Sequence, residues 1–281
     1  MSPRLSCDVS GSVWRAIKAE QEQTGDSLSQ VVERILSTAF QLDRHTLFQV
    51  STSNALVQGV FRGATTLADL RRHGDFGLGT FEGLDGELIM LDGGCYRATG
   101  GGEVTVPDDG VGVPFAVVTR FSSDVHSTLD AGVSLDELNR SVDQIRPSEN
   151  LFAGIRVEGG FEALMLRAAC PAAPGEGLVE ATRHQSEFSA TDVEGTLVGF
   201  WSPLYARAVN VPGYHFHFIA SDRSLGGHVL DLRAGRVEVD VHIESDLHIA
   251  IPETAEFLEA DLSGEHTEAL HQAETAIHPD G

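Results

Sequence analysis

From Leu47 onward the chain is cut by glycine into short segments that alternate apolar and polar side chains, and this punctuation limits what it can become. "GLGTFEGLDGELIMLDGGCYRAT" is the densest example. Strand side chains repeat every two residues, and a turn residue with positive φ is most readily glycine, so such a segment folds as antiparallel hairpins. It reads as a meander with LDGE and LDGG as tight turns. Before it, "LFQVSTSNALVQGVF" reads as a strand or short helix and "TTLADLRRHG" as a helix stopped by Gly74. After it, "GGEVTVPDDGVGVPFAVVTRF" adds a hairpin and a strand, and "SLDELNRSVDQI" a helix opened by a Ser/Asp cap.

Pro, Ser, Glu and Asn cluster at 147–150 and mark a boundary. Beyond it, "LFAGIRVEGGFEALMLRAAC", "VEGTLVGFWSPLY", "GYHFHFIA", "HVLDLRAGRVEVDVHI" and "DLHIAIP" are β-rich, and a barrel or a sandwich accommodates them. The tail "TEALHQAETAI" has helical spacing. The expected organisation is an extension over residues 1–46, an N-terminal mixed-sheet lobe over 47–149 and a C-terminal β-rich lobe over 150–281.

The net charge is −23, with 42 acidic residues against 19 basic ones, of which only Lys18 is a lysine. A surface this acidic repels nucleic-acid backbones and suits a salt-rich cytoplasm, where counterions screen the self-repulsion. The arginine-for-lysine bias of GC-rich coding explains the missing lysines but not the excess of acids. No apolar run reaches the roughly 18 residues that a membrane helix needs, and Met1–Gln30 lacks the layout of a secretion signal, so a cytoplasmic location is expected. Cys7, Cys95 and Cys170 are odd in number and widely spaced, which argues against disulfides or a thiolate metal site and for small packing residues.

The first forty residues stand apart. "RLSCDVSG" alternates like a strand, "SVWRAIKAEQEQTG" is an amphipathic helix, and "SLSQVVERILSTAF" is a second one capped by Ser27 or Ser29. Over Arg4–Phe40 this resembles the ribbon-helix-helix family, whose DNA-binding members pair two such strands and insert the ribbon into the major groove. Arg4, Ser6 and Asp8 would then face the groove, and Asp8 would aim a carboxylate at nucleic acid, which favours a packing or dimerising appendage over a DNA reader.

Within "GYHFHFIASDRSLGGHVLDL", His215 and His217 fall two apart on a strand, on one face and roughly 6.5–7 Å apart along the backbone. "SDRSLGG" is a turn, so "HVLDL" runs back and brings His228 opposite the pair. Three imidazoles from one hairpin suit a catalytic zinc site that keeps one position open, and nickel, copper or iron could use the same ligands. The plainer reading is three exposed or hydrogen-bonded strand histidines: with 12 histidines in 281 residues, chance supplies about half an HxH pair. His242 and His248 read as scattered, solvated residues.

Glu87 enters an apolar stretch, where an ionised carboxylate is costly, so it is either a buried proton donor or an edge-strand residue facing water. Arg167 in "ALMLRAAC" either holds a substrate carboxylate in a bidentate pair or sits on the surface. Thr80 in "GLGTFEG" either lends a hydroxyl to the same pocket or simply favours the strand.

Together, "HGDFGLGTFEGLDGELIMLDG", "GTLVGFWSPLY" and "NVPGYHFHFIASDRSLGGHVLDL" closely resemble the α-acetolactate decarboxylases, in block order and spacing over residues 47 to about 275. The resemblance implies zinc on His215, His217 and His228, and active-site roles for Glu87, Arg167 and Thr80. It also implies a tail carboxylate at Glu274, with Glu268 as the neighbouring candidate. It implies a two-lobed α/β (α+β) fold, with a mixed N-terminal sheet and a β-barrel-like C-terminal lobe, in a homodimer joined through the N-terminal sheets. The implied reaction is that of a carboxy-lyase: zinc acts as Lewis acid on 2-acetolactate and stabilises an enediolate, Arg167 orients the carboxylate, and Glu87 with Glu274 protonates one face to give acetoin. Phe216 and Phe218 are expected to wall the site against water.

Two other readings compete with the enzyme. One is a DNA-binding regulator that senses a 2-hydroxy-2-oxoalkyl acid through a decarboxylase-like domain. The other is a β-barrel that stores metal or binds sugar, without decarboxylation.

Overall fold

The computed structural model describes residues 6–25, 27–39, 45–173, 175–183, 185–264 and 269–270. The chain forms two compact units, Met1–Arg44 and His45–Gly281. In the first, helix α1 (Gly11–Thr24) begins where Ser10 Oγ accepts from the Val13 amide and ends where Gly25 takes a positive φ of 78°. Helix α2 (Leu28–Ala39) is opened by a reciprocal pair, the Gln30 amide donating to Ser27 Oγ while the Ser27 amide donates to Gln30 Oε1. Both expected helices are therefore present, with Ser27 as the cap. The expected ribbon is not: residues 6–10 form no strand, and Arg4 lies outside the described residues. A lone strand has no ladder partner in a single chain, so alternation alone does not make one. Cys7 is exposed, against its expected packing role.

In the second unit the strands are β1 (Thr46–Val50), β2 (Thr65–Thr66), β3 (Phe76–Thr80), β4 (Glu87–Leu91), β5 (Gly94–Ala98), β6 (Val104–Thr105), β7 (Gly112–Val113) and β8 (Phe115–Thr119). They continue as β9 (Val125–Leu129), β10 (Val133–Ser134), β11 (Phe152–Ala168), β12 (Ser186–Ser202), β13 (Gly213–Ala220), β14 (Gly226–Glu244) and β15 (Asp246–Ala250). The LDGG turn is as expected: Asp92 and Gly93 both have positive φ, 52° and 76°, matching the right-handed twist of β4 and β5. LDGE differs, because a 3-10 turn over Glu82–Leu84 lengthens the link from β3 to β4. The segment after Gly100 also differs: β7 pairs with β2 rather than closing a hairpin on β6.

The first sheet runs β15-β1-β8-β3-β4-β5-β6 and is mixed, since β15 lies parallel to β1 while the other pairs are antiparallel. The second is antiparallel and near-closed: β14, β11, β12 and β13 neighbour in turn, and β13 pairs back onto the start of β14. Register shifts along β11 and β14 bend these long strands enough to curl the sheet. Its inner face buries Phe161, Leu166, Phe216, Phe218 and Val239, closed by Leu138 and Val142 of the helix Leu135–Ile145. That helix starts in a capping box between Ser134 and Glu137, so the expected Ser cap is Ser134 itself.

The two sheets share a core in which Phe76, Leu78, Ile89 and Val117 of the first meet Val198, Phe200 and Ile219 of the second. Within each sheet a glycine permits a close approach between neighbouring strands. A Cβ on Gly79 would lie 2.3 Å from the Phe115 carbonyl oxygen, and one on Gly199 would lie 2.1 Å from the Phe216 ring. Gly199→Ala must displace a buried ring and is expected to cost about 1–3 kcal/mol, read as a fall in denaturant midpoint at unchanged m-value.

The acidity carries its own prediction. If screening holds the fold together, the thermal midpoint rises steadily as KCl is raised from roughly 0.1 M to 2 M, where the Debye length falls below about 3 Å. A midpoint independent of salt would leave the charge without a stabilising role for counterions.

Candidate active site

The hairpin of β13 and β14 sets His217 directly opposite His228, and alternation puts His215 on the same face of β13 as His217. Ring centroids are 5.1 Å apart for His215 and His217, 4.9 Å for His215 and His228, and 5.5 Å for His217 and His228. One nitrogen from each ring falls within 4.8 Å of the other two.

The orientation of His217 comes from the other sheet. Its Nδ1 lies 2.9 Å from the Leu88 carbonyl oxygen, which can only accept, so Nδ1 carries the proton and Nε2 presents a lone pair to the pocket. That Nε2 stands 3.5 Å from Glu87 Oε2, and His215 Nε2 stands 3.1 Å from His228 Nδ1. Loss of hydration, with the Arg167 charge nearby, pushes His215 down to about 3, so its ring is neutral at neutral pH. Three imidazole nitrogens gathered this closely, one ring held by a backbone carbonyl, are the donor set a borderline divalent cation requires.

Arg167 on β11 pairs in register with His228 on one side and Glu187 on the other, and is 5% exposed. Thr80 and Glu87 face each other across β3 and β4. Glu87 is 8% exposed, and its Oε1 accepts from the Ala169 amide at 2.9 Å, two residues past Arg167. Thr80 Oγ1 donates to the Gly86 carbonyl at 2.9 Å. All six described candidates therefore line one cavity of about 50 Å³, on a measure by which a single water needs about 10–15 Å³. Glu274 and Glu268 lie outside the described residues. Leu270, between them in sequence, is buried against Leu56, Leu84, Leu178 and Val211, which themselves line the cavity.

The expected walls are different. Phe216 and Phe218 alternate with the histidines and so point away, into the core of the second sheet. The apolar lining is Leu56, Leu84, Phe115, Leu178 and Val211, joined by Thr182 and Gln185. Sequence reading missed these, because the segment around 178–185 has neither a motif nor a strand period. Gln185 offers a buried amide oxygen that has no hydrogen-bond partner, a polar group available to a bound molecule.

The architecture and the residues can be compared with known proteins. A sequence profile described as alpha-acetolactate decarboxylase matches residues 47–264. The α-acetolactate decarboxylase of Methylococcus capsulatus is 42% identical over 231 residues, covering 82% of this chain and 89% of that protein. That of Methanosarcina mazei is 40% identical over 251 residues, covering 89% and 85%. The crystal structure of the Bacillus subtilis strain 168 enzyme superposes with a TM-score of 0.80 at 35% identity, over 82% of this chain and all of that one. Likeness on this scale, spread over both sheets and the whole described pocket, makes the chain a member of the α-acetolactate decarboxylase family.

Proposed function

We propose that the chain decarboxylates 2-acetolactate to acetoin and CO2, with a zinc ion held by His215, His217 and His228. The observation that carries this reading is the convergence of three imidazoles, a buried guanidinium and a buried carboxylate on one small cavity. When bound, zinc supplies Lewis-acid stabilisation of the negative charge left by departing CO2. Nickel, copper or iron suits the same nitrogens, and metal analysis of the purified protein decides among them.

The chain's own residues do the rest. Arg167 binds the substrate carboxylate by a charge-assisted pair and fixes which bond breaks. Glu87, held by the Ala169 amide, keeps a proton at its other oxygen for delivery to one face of the carbanionic product. Thr80 is anchored to the Gly86 carbonyl, which fixes its hydroxyl beside Glu87. Glu274 acts with Glu87 from the tail, with Glu268 as the alternative, a reading supported by the burial of Leu270 in one cluster with residues that line the cavity. Leu56, Leu84, Phe115, Leu178 and Val211 exclude bulk water.

Residues 47–149 thus contribute the proton donor, and 150–281, the β-barrel-like part, the metal ligands and Arg167. Residues 1–46 are read as a dimerising appendage, a reading supported by the exposed Val13, Trp14 and Ile35 on its helices. A cytoplasmic setting is supported by three free cysteines, and no helix among the described residues is long and apolar enough to cross a membrane. The test is acetoin formation by the zinc-loaded protein at suitable salt. Absence of turnover there would sink the enzymatic reading.

A further inference from the structure

A second group of titratable side chains lies apart from the cavity just described. His45 precedes β1, Asp124 precedes β9, and His242 and Glu244 close β14. His242 was expected to be solvated; it is 0% exposed, and so is Glu244. The His242 ring is covered by those of His45 and Phe121, with centroids 5.1 Å and 5.8 Å away. His248 is exposed, as expected.

The contacts are specific. His242 Nδ1 lies 3.1 Å from Asp124 Oδ2, and His45 Nδ1 lies 3.8 Å from the same oxygen. The His45 and His242 rings stack at 5.1 Å with planes 23° apart. On the far side of His242, Nε2 stands 3.6 Å from Glu244 Oε1. His242 Nε2 and both Glu244 oxygens are buried, with the Thr119 hydroxyl beside the Glu244 carboxyl.

Charge makes this arrangement unusual. The ion-pair partners of Asp124 are His45 and His242, and that of Glu244 is His242. Among the described residues, the ion pairs of these two carboxylates run to imidazoles and to no lysine or arginine. Burial works against the His242 charge, but the Asp124 hydrogen bond and the Glu244 carboxylate outweigh it and raise that ring's pKa. An uncompensated buried carboxylate is costly, and burial does push the Glu244 carboxyl up to about 7. A divalent cation would balance both charges.

We propose that His45, Asp124 and His242 form a second divalent-cation site, with Glu244 behind His242 as its supporting carboxylate. Two imidazoles and one carboxylate favour a borderline cation such as zinc over calcium or magnesium, which take oxygen. His242 moves its ring proton to Nε2, facing Glu244, and so turns Nδ1 into a ligand; this is the carboxylate–histidine–metal chain that orients ligands elsewhere. His45, whose side chain is 43% exposed, exchanges its Nδ1 hydrogen bond to the Ile243 carbonyl for the cation. Asp124 keeps one oxygen on the Ile243 amide at 2.8 Å and has a second to offer. The bound ion would join the starts of β1 and β9 to the end of β14, close to where the chain leaves the second sheet for β15 of the first.

The test uses the full chain, stripped by chelator, dialysed and titrated with zinc. Wild type is expected to bind two ions tightly, while His45→Ala and Asp124→Asn each bind one. Both variants should keep acetoin formation within about 2-fold of wild type once saturated with zinc. His217→Ala should also bind one, retained at His45, and a double His45→Ala/His217→Ala variant none. The proposal is overturned if His45→Ala and Asp124→Asn bind as many ions as wild type with unchanged affinity, or if wild type binds a single ion that only His217→Ala removes. The second result would leave the catalytic reading intact, whereas full binding by His217→Ala with loss in His45→Ala would overturn that reading alone. Asp124→Asn retains an acceptor for the Ile243 amide; should it still fail to fold by circular dichroism, the half-exposed His45→Ala decides.

Discussion

Substituting His217 by alanine is expected to lower acetoin formation by on the order of 10³-fold or more, a loss on the scale of removing charge stabilisation from a transition state. Of the three cavity histidines, His217 has its ligating nitrogen fixed by a backbone carbonyl of the opposite sheet, so no neighbouring side chain can take its place. The same variant should lose the cation whose removal by chelator also stops wild-type turnover. His217→Gln makes the comparison sharper, because an amide fills much of the volume but is a poor ligand. A His217→Ala protein with wild-type kcat would show that the imidazole cluster is structural.

Glu87→Gln is expected to reduce kcat by about 10²–10⁴-fold with a smaller change in KM, the range for losing a positioned proton donor. Glutamine matches the shape of glutamate and can still accept from the Ala169 amide, so the strand ends stay joined. What it lacks is a transferable proton beside His217. Loss of stereochemical purity in the acetoin formed should accompany the slower rate, since protonation then falls to solvent. If Glu87→Gln changed KM alone, Glu87 would be a binding group, and the proton would have to come from the tail carboxylate.

Much of the site was legible before any coordinates. His215, His217 and His228 follow from strand period and one turn, and the hairpin register pairs His217 with His228. Glu87, Arg167 and Thr80 were open choices between pocket and surface. Only the packing of β3 and β4 against β13 buries them together.

The errors have a common cause. Phe216 and Phe218 were expected beside the histidines and lie behind them, because the alternation that pairs His215 with His217 puts the two phenyl rings on the opposite face. The apolar walls come instead from segments remote in sequence. His242 looked like a surface strand residue because the segments that bury it are remote in sequence. The return of β15 to lie parallel to β1 likewise has no local signature.

Local chemistry thus specified the strands, the turns and the imidazole pair, because period, glycine placement and cap residues act over a few positions. Which strands meet, which side of each is dry, and how a guanidinium, a carboxylate and three imidazoles come to share one cavity were decided by long-range pairing and by the burial that only the folded sheets create.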